Sequence, residues 1–133
     1  MASAMGKGIL TMARLVGPYV VVEGKDVTAF ERLQDVESAI EAVDVAGYEF
    51  FDATGRRLAA SVEGYRVRLY ADPKAAPEPE RLETALRDYF AGMAAKHERF
   101  AGYEKAADRA RTLSDLLDLR IRLSNEPRFG RNA

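Results

Sequence analysis

The chain has 133 residues, 47% hydrophobic and 31% charged, with a net charge of −1, one His and no Cys. This describes one globular domain, large enough to bury a core without a metal or a disulfide. Without Cys there is no disulfide, thiolate zinc site or cysteine nucleophile, and a reducing, cytoplasmic setting is favoured. A lone His excludes a multi-imidazole metal site within one chain, and no apolar run approaches the roughly 18 residues of a membrane span.

Residues 1–13 are small, Gly-containing and without period, and read as a flexible leader or an added segment. An α+β unit is expected over 14–72. Tyr19 to Val22, between Gly17 and Gly24, is a β-branched run with apolar groups on both faces, which suits an interior strand. Residues 25–44 then read as a helix. Thr28 and Glu31 match a capping box, and Phe30, Leu33, Val36, Ile40 and Val43 recur at helical spacing.

A three-stranded meander is expected next. It comprises 48–52, then 57–63 with Leu58, Ala60 and Val62 on one face, then 65–71 with Tyr65, Val67 and Leu69 inward. Between the first two lies Asp52-Ala53-Thr54-Gly55, similar to the Asp-Thr-Gly of aspartic proteases. Such a protease needs two of these loops, and the chain has one. The expectation is a hairpin turn, with the Asp52 side chain bonding amides ahead of it and Gly55 supplying a left-handed residue.

Residues 73–80 are Pro-rich and read as a stiff connector. A helical hairpin packed on the same domain follows over 81–124. Its first helix spans 79–104, with Leu82, Leu86, Tyr89, Met93 and Phe100 near a heptad spacing and Gly102 as its break. Its second helix spans 105–127, although residues 117–123 alternate strictly enough to read as a strand. Helix is preferred there because it continues the preceding period. Leu119 and Leu123 then fall off the main stripe, free to cover a partner. Residues 125–133 read as a frayed tail.

The small net charge conceals a split. Residues 28–52 hold seven acids against one base, and residues 81–133 hold eleven bases against eight acids. Glu31, Asp35, Glu37, Glu41 and Asp44 form the acidic set expected to meet a basic protein partner. Arg57, Arg66, Arg68 and Tyr70 are expected to share the outer sheet face. That is an anion or ligand surface on one reading and a guard against sheet-to-sheet aggregation on the other. Nucleic acid is disfavoured by a pI of about 5.9 and by the presence of one Tyr alone in that set. His97 is the one acid/base candidate, set against a bland reading as a boundary histidine. Tyr48, Phe50, Phe51, Tyr89 and Phe90 read as core rather than pocket.

No phosphate loop, dinucleotide fingerprint, HExxH, nucleophile elbow or EF-hand loop occurs, so the sequence names no catalytic residue, metal or cofactor. The first expectation is therefore a non-enzymatic protein–protein interaction module, an inhibitor or immunity-type protein that meets a basic partner through an acidic helix face. The alternatives are a small-molecule-binding protein or minor enzyme with a pocket between sheet and helices, and a homo-oligomeric structural subunit. The small residues and surplus leucines of the C-terminal helices point to a homodimer through them.

Overall fold

The computed structural model describes residues 15–127, so the expected leader at 1–13 lies outside the described residues, as does most of the expected tail. The fold is α+β. In chain order it contains β1 (Tyr19–Glu23), β2 (Asp26–Phe30), α1 (Leu33–Ala39), a 3-10 turn (Ala42–Gly47), β3 (Glu49–Phe51), β4 (Arg57–Glu63) and β5 (Arg66–Ala71). Then come α2 (Pro79–Lys96), a second 3-10 turn (Glu98–Phe100), α3 (Ala101–Arg109) and α4 (Leu113–Ser124). The five strands form one antiparallel sheet in the order β2-β1-β3-β4-β5.

The segment expected as one helix over 25–44 divides. Residues 26–30 form β2, which pairs along its whole length with β1, Thr28 lying opposite Val21. Thr28 therefore caps nothing, and Glu31 lies between β2 and α1. The physical reason is the neighbouring strand. Val27 and Ala29 alternate with Thr28 and Phe30, and the two-residue Gly24-Lys25 turn lays that run along the β-branched β1. The helical stripe survives in a changed form. Phe30, Leu33, Val36 and Ile40 all face one core although only two of them lie in α1, and Val43 is exposed.

Alternation along the strands gives the sheet a core on each side. Val21, Phe50, Leu58, Val67 and Leu69 pack under α1. Val20, Val22, Val27, Ala29 and Phe51 face the C-terminal helices, where Leu82, Leu86, Phe90, Phe100, Leu116 and Leu123 are almost wholly buried. Each such side chain contributes about 1.5–3 kcal/mol by leaving water. Leu119 and Leu123, expected to be free for a partner, belong to this internal core. No large exposed hydrophobic side chain lies on α2, α3 or α4 among the described residues. At the other end of β5, Tyr65 sits in the turn and is exposed rather than inward.

Three C-terminal helices replace the expected two. Residues 117–123 are helical. The first break falls at His97, which leaves the helical region while its amide still bonds the Met93 carbonyl (2.9 Å). Gly102, the expected break, lies inside α3. The second falls before Thr112, whose hydroxyl accepts the Asp115 amide (3.1 Å) and caps α4. Arg87 of α2 donates to the carbonyls of Ala107 and Ala110 at the end of α3, which ties α2 to α3.

Candidate functional site

The Asp52 loop is a turn. Asp52 is buried, and its Oδ1 accepts hydrogen bonds from the Thr54 amide (2.9 Å), the Thr54 hydroxyl (2.6 Å) and the Arg56 amide (3.1 Å). Gly55 has φ +84°, and its carbonyl accepts the Glu78 amide (2.9 Å), which joins the hairpin to the start of α2. The carboxylate is consumed by local backbone and presents nothing to a substrate.

The five acidic residues of the expected partner face do not share one helix face. Asp35 pairs with Arg32 (3.2 Å) on an exposed surface. The Glu37 carboxylate accepts the Leu69 amide of β5 (2.7 Å). Glu31 precedes α1, while Glu41 and Asp44 follow it. The last two act together with Glu23, which the sequence reading leaves out, on Tyr48, which it reads as core and which, with Tyr89, lines a cleft. Burial raises the Tyr48 pKa above its usual value, and the nearby charges of Glu23, Asp44 and Glu41, with a hydrogen bond donated to Glu23, raise it further. The phenol thus feels carboxylates from three separate segments: the end of β1, the link after α1 and the 3-10 turn.

Beside Tyr48 a cleft of about 520 Å³ opens over the β2 edge of the sheet. Val21, Phe30, Ile40 and Tyr48 supply its apolar and aromatic wall, and the exposed carboxylates of Glu23 and Asp26 stand on its rim. Tyr89 and Arg120 lie at its buried side. Arg120 is 3% exposed. Its Nε donates to the Val27 carbonyl (2.6 Å), an Nη donates to the Ser124 hydroxyl (2.7 Å), and the guanidinium lies 4.8 Å from the Tyr89 ring centre. Burial lowers the Arg120 pKa from its usual value, and Tyr89 and Asp26 oppose that shift. Tyr89 is raised, first by burial and further by Asp26, with Arg120 acting the other way. The interface between sheet and helices is filled by core side chains, and the cleft lies at the edge.

Arg57, Arg66, Arg68 and Tyr70 do share one sheet face. The register sets Tyr70 beside Ala59, Arg68 beside Ser61 and Arg66 beside Glu63, two residues apart along β4 from Arg57. The C-terminal helices leave this part of the sheet uncovered. Arg57 is engaged with Glu49 (2.7 Å), which also holds Arg81 of α2 (2.7 Å). Arg66 and Arg68 make no ion pair within 4 Å among the described residues. A second groove of about 630 Å³, lined by Glu37, Glu41, Arg66 and Arg68, separates this edge from α1. His97 sets its ring edge-on against Phe100, with centroids 5.9 Å apart, at the corner between α2 and the 3-10 turn.

No three side chains of metal-ligating type stand together among the described residues. No described helix is long and apolar enough to cross a membrane. Comparison with protein-family models, with curated proteins and with solved structures gives no match to this chain.

Proposed function

We propose that the protein is a non-enzymatic interaction module that binds a basic protein, in the manner of an inhibitor or immunity-type partner, in a reducing, cytoplasmic compartment. The observation that supports the reading is that the charges of Glu23, Glu41 and Asp44 all act on Tyr48, which lines an open cleft. Glu23 is distant in the chain from Glu41 and Asp44, and none of the three enters an ion pair within 4 Å among the described residues. Uncompensated like charge around an aromatic ring costs stability in the free protein and is relieved by a complementary cationic surface. Asp35 and Glu37 contribute less, because Arg32 and the Leu69 amide already engage them.

The test is affinity capture from a lysate of the source organism at low and high salt, with Glu23→Lys/Glu41→Lys/Asp44→Lys as control. Glu37 is left intact because its carboxylate holds the β5 edge. A basic protein retained at low salt, released by high salt and lost in the triple variant is the expected result. Retention of the same protein by the triple variant would overturn the reading.

A further inference from the structure

We propose, resting on the basic-partner reading above, that the cleft over the β2 edge is a socket for one long basic side chain, Arg or Lys, of that partner. The lining of the cleft is chemically of two kinds. Its wall of Val21, Phe30, Ile40 and Tyr48 suits an aliphatic stem, and the rim carboxylates of Glu23 and Asp26 suit a cationic head. Lys and Arg are the side chains that combine a three- or four-carbon apolar stem with a terminal charge. Tyr48 adds an aromatic face against which a guanidinium or ammonium is attracted.

Glu23 and Asp26 are brought together by the turn. They are the closing pair of the β1–β2 hairpin, directly opposite one another, an arrangement in which like charges repel. Neither enters an ion pair within 4 Å among the described residues. A single cation between them turns that repulsion into two attractions.

Arg120 defines the depth of the socket. Its bonds to the Val27 carbonyl and to Ser124, and its place against Tyr89, fix a positive charge at the buried side. That charge keeps an incoming cation at the rim, so the side chain lies along the cleft, its stem on the apolar wall, and does not enter head first. The resulting preference is for a cation over a neutral side chain of the same shape, and for one cation over two.

The experiment titrates the full chain, labelled for amide NMR, with the N-acetyl methylamides of arginine, lysine and citrulline, the last being the neutral isostere of arginine. The expected result is saturable binding of the two cations at millimolar concentration. Shifts should centre on the amides of residues 23–28 and on Tyr48, with citrulline bound about fivefold more weakly, the scale of an exposed ion pair. Glu23→Gln/Asp26→Asn should abolish the preference for arginine over citrulline. Both positions are exposed, and unchanged amide shifts elsewhere check the fold. Thr28→Lys is the second variant. It places a cation of the chain's own on a position lining the cleft and should block the added one. Equal binding of arginine and citrulline overturns the socket, and so does unaltered arginine binding in Thr28→Lys. Shifts confined to Asp35, Glu41 and Asp44 overturn the socket while leaving the acidic-surface reading in place. Absence of any cation-specific shift tells against both.

Discussion

Gly55→Ala should destabilise the protein by about 3 kcal/mol, and Gly64→Ala by only about 1. Both glycines have positive φ, +84° and +65°, so a side chain at either meets the left-handed penalty of about 1 kcal/mol. They differ in surroundings. A Cβ on Gly64 meets nothing within 4 Å, whereas one on Gly55 lies 2.8 Å from the carbonyl carbon of Glu78 and from the N and Cα of Pro79. These are backbone atoms at the start of α2, well inside the 3.5–4.0 Å optimum for carbon contacts, and they cannot rotate away. Relief requires the helix start to shift. That loosens the bond from the Glu78 amide to the Gly55 carbonyl (2.9 Å), a loss of about 1 kcal/mol, with overpacking strain of about 1 kcal/mol more. Urea unfolding followed by far-UV circular dichroism measures the difference between the two variants. The expected gap of about 2 kcal/mol is roughly thirtyfold in the unfolding constant and about 6–10 °C in Tm for a domain of this size. Equal losses for the two variants would refute the claim that the Asp52–Gly55 loop exists to seat α2.

Replacing Glu37 with Ala should cost about 1 kcal/mol by leaving the Leu69 amide without its acceptor. The same change should open the β5 edge to strand pairing, so sedimentation should show concentration-dependent association absent in the parent; an unchanged profile counts against the guard role. Arg120→Ala should cost about 3 kcal/mol, because it strands the Val27 carbonyl and empties a buried stem, and an urea midpoint matching the parent would contradict this. Burial raises the pKa values of Tyr19, Tyr48 and Tyr89 above the usual 10.0, so the folded state keeps these protons where the unfolded chain has lost them. Their contribution is complete below pH 10 and is lost as pH rises through the raised values; the urea midpoint should fall there, and Tyr48→Phe should flatten part of that fall.

The strands were legible where the chain alternates. Leu58-Ala59-Ala60-Ser61-Val62 and Val67-Arg68-Leu69-Tyr70 show the period of two directly, and the Asp52–Gly55 turn follows from the side chain and glycine it contains. The β1–β2 hairpin was readable but masked. Gly24-Lys25 joins two apolar runs, yet residues 27–43 also satisfy a period near 3.6, and only the nearby β1 decides between them. The same Thr-x-x-acid pattern occurs at Thr28–Glu31 and at Thr112–Asp115, and only the second caps a helix. The pattern at Thr28 lies within reach of a waiting strand, and tertiary pairing overrides a local cap that contributes about 1 kcal/mol. The candidate site was the least legible part. The Glu23–Asp26 pair, Tyr48 and Arg120 are far apart in the chain, and no spacing rule joins residues 23 and 120.

The two sheet edges show how one physical demand can be met by opposite charges. In each hairpin the closing pair sets which backbone groups point outward, and the alternation of the antiparallel ladder carries that choice along the strand. At β5 an outward amide, Leu69, is met by a carboxylate from α1 (2.7 Å). At β2 an outward carbonyl, Val27, is met by a guanidinium from α4 (2.6 Å). Each helix therefore does more than cover a core face: it supplies the charged group that its edge lacks, which keeps that edge from pairing with another chain. At β2 the guard also shapes the surface. Arg120 fills the buried side of the edge against Tyr89 and shares its field with Asp26, so Glu23 is the rim carboxylate with the most negative charge still to be matched.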